Sequence, residues 1–167
     1  MKLTHRASLA PLALAGLVVA GSGQTTASIF LKEDMRSLKK SSEAVVHAKV
    51  ADLYSYWNTD GSIIFTDVTL EVKRNLHGVS DRQIVVRVPG GTVGGFTSEM
   101  IGAPKFELDE EVVVFISRWL DGVPMVNGYF QGKSRVVPDQ ANNLVLHGGV
   151  ADGIPMPDLA RQLRQAN

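Results

Sequence analysis

The sequence predicts an all-β domain with one short helix on each flank. Between residues 44 and 137, apolar residues repeatedly alternate with polar ones, which is the pattern of half-buried strands. Turn sequences rich in Gly, Asn and Asp separate these stretches, and strands do not alternate with helices. About five or six strands with hairpin spacing indicate an antiparallel barrel, and the glycines inside the later strands favour it over the alternative, a β-sandwich.

Residues 1–27 have the composition of a secretory signal peptide. Two basic residues precede a mostly apolar stretch over residues 7–20, and small and polar residues follow. That stretch is shorter than the roughly 20 residues that cross a bilayer, which disfavours an N-terminal membrane anchor. We expect cleavage after Ala27, no stable membrane insertion afterwards, and a single exported domain of residues 28–167 that is secreted or periplasmic.

The first element after this leader is predicted to be a helix of about three turns within residues 28–41. Leu31, Met35 and Leu38 recur at helical spacing among charged residues and would form one narrow apolar stripe. The surrounding charges are typical of a solvated face, so we expect this helix to cover one end of the core.

A hairpin is predicted next. Its first strand begins at Ala44 and its second covers residues 64–73, where Leu70 and its even-numbered neighbours are expected to face the core. Glu71 and its odd-numbered neighbours would then face solvent. Between the strands, residues 58–61 (Asn-Thr-Asp-Gly) tolerate left-handed backbone angles and predict the connecting turn.

A third strand and a buried strand follow. Residues 84–88 alternate until Pro89 ends the pattern, and a glycine-rich loop is expected over residues 90–104. Residues 112–116 form a continuous apolar run, which is typical of a strand that is buried on both faces.

The last third of the chain is predicted to complete the sheet. Residues 125–137 are long enough for one bent strand or two short ones, and Gly128 and Gly132 are interpreted as bulges. Residues 144–146 add a short strand. A second helix is expected to begin at Pro157, with apolar residues along one side.

Four segments also carry a resemblance to a known family. Residues 44–50, 65–72 and 76–78 look like an opening hairpin, and residues 106–115 look like a charged turn before a buried strand. This order resembles the netrin-like domains, OB-type barrels shared with the tissue inhibitors of metalloproteinases. The resemblance covers residues 42–118 and implies an OB-like barrel with an extracellular binding habit, as in small exported bacterial β-barrel proteins. Those inhibitors need disulfides and an N-terminal cysteine, whereas this chain has no cysteine, so no inhibitory residue carries over.

Composition and motifs disfavour several functional classes. The chain has 17 basic and 17 acidic residues, so it lacks the bulk positive charge that holds nucleic acid. Residues 90–95 lack the lysine of a phosphate loop, and residues 58–62 lack the first carboxylate of a calcium loop. The acids at 109–111 would point to alternating sides of a solvated turn, and no nucleophile elbow follows the leader. We expect no catalytic residue and no cofactor.

The histidines do not predict a metal site. Three remain after the leader: His47, His77 and His147. None of them shows the spacing of a zinc-binding helix, and all three are expected at the surface.

The candidate binding residues are Tyr54, Tyr56 and Trp57, beside the turn at 58–61. Aromatic residues in a connecting region are costly to expose and are enriched in recognition surfaces. The alternative is that Trp57 fills the open end of the barrel. The sequence favours an exported, non-catalytic binding module for a protein or small ligand. The alternatives are a protease-inhibitor-like or enzyme accessory domain and, third, an enzyme with an unrecognised site.

Overall fold

The computed structural model describes residues 31–78, 81–118 and 121–165. Their strands are β1 Ala44–Trp57, β2 Ile64–His77, β3 Gln83–Pro89, β4 Gly91–Val93, β5 Phe96–Ser98, β6 Glu111–Arg118, β7 Pro124–Val126, β8 Lys133–Pro138 and β9 Leu144–His147. The helices are α1 Met35–Ser41 and α2 Met156–Gln165, and 3-10 helices cover Tyr129–Gly132 and Gly149–Ala151. The predicted all-β class with short flanking helices is confirmed, whereas the predicted signal peptide lies outside the described residues.

Seven of the described strands form one mixed sheet, and β4 and β5 form a separate hairpin. The order in the large sheet is β1-β2-β3-β7-β6-β8-β9, and β1 also pairs with β6. The pairings therefore run in a ring through β1, β2, β3, β7 and β6. At one point the ring depends on a single parallel pair, Arg87 with Met125, so a closed OB-like barrel stays a prediction.

Two hydrophobic clusters cover the two faces of β6. Val112 and Val114 contribute to the first cluster, which the five strands of the ring supply, and Val113 and Phe115 contribute to the second. The second cluster lies against α1, α2, β8 and β9. Residues 112–116 are all buried, which confirms the prediction of a strand buried on both faces.

The first helix is shorter than the sequence predicts. Asp34 caps it by accepting a hydrogen bond from the Ser37 amide (2.9 Å), so the helix begins only at Met35. Leu38 and Met35 pack into the second cluster. Leu31 precedes the cap and is exposed, so its assignment to the apolar stripe is wrong.

Residues 125–137 form two short strands rather than one bent strand. Gly128 caps the 3-10 helix between β7 and β8 and Gly132 is its last residue, so their interpretation as bulges is wrong. Gly128 has a φ of 72°, and a Cβ there would lie 2.7 Å from Leu38 Cδ1. A Cβ on Gly132 would overlap the Asn127 carbonyl. Close packing against the chain is therefore the reason for both glycines.

Part of the glycine-rich region predicted to be a loop forms two short strands. The hairpin β4–β5 occupies it, with its turn at Gly94 and Gly95, both of which have positive φ. The hairpin lies against the ends of β1 and β2. A two-stranded element of this size has too few residues for alternation to reveal it.

Candidate functional site

The three predicted aromatic residues lie in the last four positions of β1, not in the connecting loop. Tyr54 is paired with Asp67, and Tyr56 with Phe65. The register of β1 against β2 shifts between Val50 and Asp52, which marks a β-bulge. Because the bulge reverses which side alternate residues face, both tyrosines point away from the first core cluster.

Tyr54 and Tyr56 form an ordered surface together with Asp67 and Arg87, which we call the tyrosine face. The tyrosine rings are stacked, with centroids 5.8 Å apart and planes inclined by 22°. Tyr56 Oη donates to Asp67 Oδ1 at 3.0 Å, and Arg87 Nε donates to the same oxygen at 3.0 Å. The Arg87 guanidinium lies 5.6 Å from the centre of the Tyr56 ring. Three adjacent strands thus position the face.

The electrostatics keep the tyrosine face close to neutral. Burial, with the hydrogen bond to Asp67, raises the pKa of the Tyr56 hydroxyl. The hydrogen bond to Asp67 also raises the pKa of Arg87, so the guanidinium keeps its positive charge, with Nε 3.0 Å from Asp67 Oδ1. Tyr54 is 64% exposed and is the residue of this face that a partner can reach most easily.

Trp57 lies on the other side of β1 and forms a second surface, which we call the tryptophan tip. Its ring meets that of Phe96 edge to face, with centroids 6.1 Å apart. Trp57 is 40% exposed and Phe96 is more exposed still. Trp57 belongs to neither core cluster, and the alternative that it fills the open end of the barrel stays a prediction. Alternation in the sequence does not single out Phe96, although its position after two glycines is typical of a hairpin tip.

The turn between β1 and β2 is held by its own side chains. Asn58 Oδ1 accepts hydrogen bonds from the amides of Ser62 (2.9 Å) and Ile63 (3.0 Å). Asp60 Oδ1 accepts from Ser62 as well, and these bonds lower the pKa of the Asp60 carboxyl. The carboxylate and amide oxygens act as turn formers, as the sequence predicts. The tryptophan tip therefore lies next to a turn that side-chain hydrogen bonds hold in one conformation.

The prediction that all three histidines lie at the surface is wrong for His47. His47 is buried, whereas His147 is exposed. His47 Nε2 lies 3.2 Å from Glu111 Oε1, and burial lowers the pKa of this imidazole despite that carboxylate. In the part of the chain that the structure describes, no group of three or more His, Asp or Glu side chains is arranged to hold a metal ion.

The acidic run at 109–111 is not a solvated turn throughout. Its three carboxylates do point to different partners, as alternation predicts: Lys49 for Asp109, Lys133 for Glu110 and Lys73 for Glu111. The Glu110 side chain is only 6% exposed, however, so its assignment to a solvated surface is wrong. The local sequence does not reveal this burial, because the two cations that pair with Glu110, Lys133 and Arg135, come from β8.

Comparison with known proteins assigns no family. No family model matches the chain, and searches of curated proteins and of solved structures give no match. Among the described residues, no helix is long and apolar enough to span a membrane.

Proposed function

We propose that this chain is an exported, non-catalytic binding module whose partner is a protein. The exposure of the aromatic residues at the free end of the β1–β2 hairpin carries the proposal. Tyr54 and Trp57 expose large rings on two sides of the same strand end, and Phe96 extends the second side. Tyrosine, tryptophan and arginine are enriched among residues that dominate protein–protein affinity.

Local order supports the same proposal. Tyr56, Asp67 and Arg87 are fixed by mutual hydrogen bonds, so little side-chain entropy remains to be lost when a partner docks. The polar groups at this end are thus engaged in holding the surface rather than poised for proton transfer. We expect an aromatic anchor here to contribute about 2 kcal/mol or more to binding, which corresponds to roughly 30-fold in Kd.

The exported location is part of the proposal. It rests on the leader sequence of residues 1–27, with its basic start, short apolar stretch and small-residue end. The domain that remains would meet its partner in the periplasm or outside the cell.

The test compares the proteins that immobilised variants recover from an exported-protein extract. We expect Tyr54→Ala and Trp57→Ala to lose a partner that the wild-type protein recovers reproducibly. Leu144→Ala is the matched control, because Leu144 is 39% exposed against 40% for Trp57 but lies in β9. Thermal melting of each variant shows whether the fold is retained.

Three results would contradict the proposal. Partner recovery that survives both aromatic substitutions would place the contact elsewhere. Early melting of Trp57→Ala would show a structural role for that ring. Turnover of a substrate by the purified protein would show that it is an enzyme and not a non-catalytic binding module. If the recovered partner is a protease that the wild-type protein inhibits, the aromatic residues remain the binding site and the function is the protease-inhibitor-like alternative.

A further inference from the structure

The cavity beneath the β4–β5 hairpin is separate from the exposed aromatic surfaces. It has a volume of about 380 Å³ and lies between the inner side of β1, β2 and β3 and the covering segment of residues 90–106. Pockets that bind small molecules have volumes of about 300–1,000 Å³, and an apolar cavity of about 150 Å³ already holds benzene. The space is therefore sufficient for a bicyclic molecule.

The walls of this cavity are mainly apolar. Leu53, Val68 and Val88 line its floor, and all three belong to or pack against the first core cluster. Met100 and Phe106 line the covering side. An apolar ligand would bury its surface against side chains that the fold already holds in place.

Of the five hydroxyl-bearing residues in the wall, the adjacent pair Ser55 and Thr66 has only acceptor capacity to offer. Thr66 Oγ1 donates its single proton to the Gly90 carbonyl at 2.7 Å. Ser55 Oγ lies 2.8 Å from Thr66 Oγ1 and must therefore be the donor in that pair. Both protons are used, so a ligand can form a hydrogen bond here by donating to Ser55 Oγ.

The charged residues of the wall neutralise each other. Lys105 Nζ and Glu99 Oε1 form an ion pair at 2.9 Å, and both side chains are largely exposed. Among the described residues of the wall there is therefore no buried charge to compensate an ionised ligand, and an ion would lose its hydration without an equivalent partner.

We infer that this cavity is a binding site for a small, uncharged, apolar molecule that carries one hydroxyl group. The apolar walls hold the body of the ligand, and its hydroxyl donates to Ser55 Oγ. Gly91 is required at the rim, because a Cβ there would overlap both the Ser55 and the Thr66 hydroxyls. The inference adds a small-molecule site and does not depend on the protein partner proposed above.

The test uses 1-naphthol as the probe and methyl NMR of the purified protein as the measurement. We expect saturable shifts of the Leu53, Val68 and Val88 methyl signals. Ala103→Leu places extra volume in the cavity wall and should weaken binding by about tenfold or more. Ala141→Leu is the matched control, because Ala141 is exposed in the turn after β8 and should leave binding unchanged.

Two further comparisons test the chemistry of the ligand. The anion 1-naphthalenesulfonate should bind at least about tenfold more weakly than 1-naphthol, because its charge would be desolvated. Ser55→Ala should remove the preference for 1-naphthol over naphthalene, even if Ala103→Leu does not fold. The inference is overturned if no methyl in the cavity shifts, if the control weakens binding as much as Ala103→Leu, or if the sulfonate binds equally well.

Discussion

Glu110 and Glu107 provide a matched test of how burial determines the strength of an ion pair in this fold. Both carboxylates pair with Arg135, at 3.1 Å for Glu110 Oε2 and 2.8 Å for Glu107 Oε2. The side chain of Glu110 is 6% exposed and that of Glu107 is 74% exposed. Substitution of each by alanine therefore removes the same chemical group from the same cation in two different environments.

The contacts of Glu110 predict the larger loss. Its Oε1 lies 2.7 Å from the ammonium of Lys133, whose side chain is itself mostly buried, and it accepts a hydrogen bond from the Glu107 amide at 3.0 Å. Glu110→Ala would leave that ammonium buried without a counter-ion, which costs about 3–5 kcal/mol of unfolding free energy. An exposed pair such as that of Glu107 contributes about 0–1 kcal/mol, so Glu107→Ala should be mild.

Urea denaturation measures both free energies of unfolding. We expect Glu110→Ala to lower the midpoint strongly without changing the slope, and Glu107→Ala to shift it little. Losses that agree to within about 1 kcal/mol would contradict this prediction, because they would mean that burial of Glu110 does not strengthen its pairing.

Three further predictions concern register, pH and export. Leu70→Asp places a charge in the first core cluster and should unfold the domain, whereas Glu71→Lys should be mild; equal melting temperatures would show that the β2 register is wrong. Burial lowers the pKa of His47 below its ordinary value of 6.5, so the unfolded chain takes up the proton more readily. The free energy of unfolding should therefore fall as pH drops below 6.5. Urea titrations at pH 7.5 and 5.5 measure this loss. His77, whose pKa burial also lowers, should account for the part that remains in His47→Gln, and a loss that is undiminished in that variant would exclude His47 as a cause. Intact-mass measurement of the exported protein should show that residues 1–27 have been removed. Recovery of the full 18.0 kDa chain in the membrane fraction would contradict the prediction of a cleaved signal peptide.

The elements that the sequence predicts correctly are those whose periodicity is long and regular. Leu70 is buried in β2 and Glu71 is exposed, as the alternation requires. The run of residues 112–116 is buried on both faces because neighbouring strands and both helices supply the packing. In such stretches each side chain has one favourable environment, and the pattern alone identifies it.

The arrangement of the candidate site depends on a feature that the pattern does not contain. Without the bulge between Val50 and Asp52, Tyr54 and Tyr56 would face the same side as the buried Val50. One unpaired residue reverses the alternation, and nothing in the composition of Ala51 marks it. Pairings across long separations, such as Glu110 with Lys133 or Trp57 with Phe96, are likewise set by topology rather than by local sequence.

Position-specific photo-crosslinking tests the proposed binding surface most directly. A benzophenone amino acid replaces either Tyr54, on the tyrosine face, or Leu144, which is exposed in β9 and lies outside the proposed surface. After exposure to an exported-protein extract and irradiation, we expect a discrete protein adduct from position 54 and none from position 144. An adduct from position 144 alone, or no adduct from position 54, would contradict the assignment of the hairpin end as the docking surface.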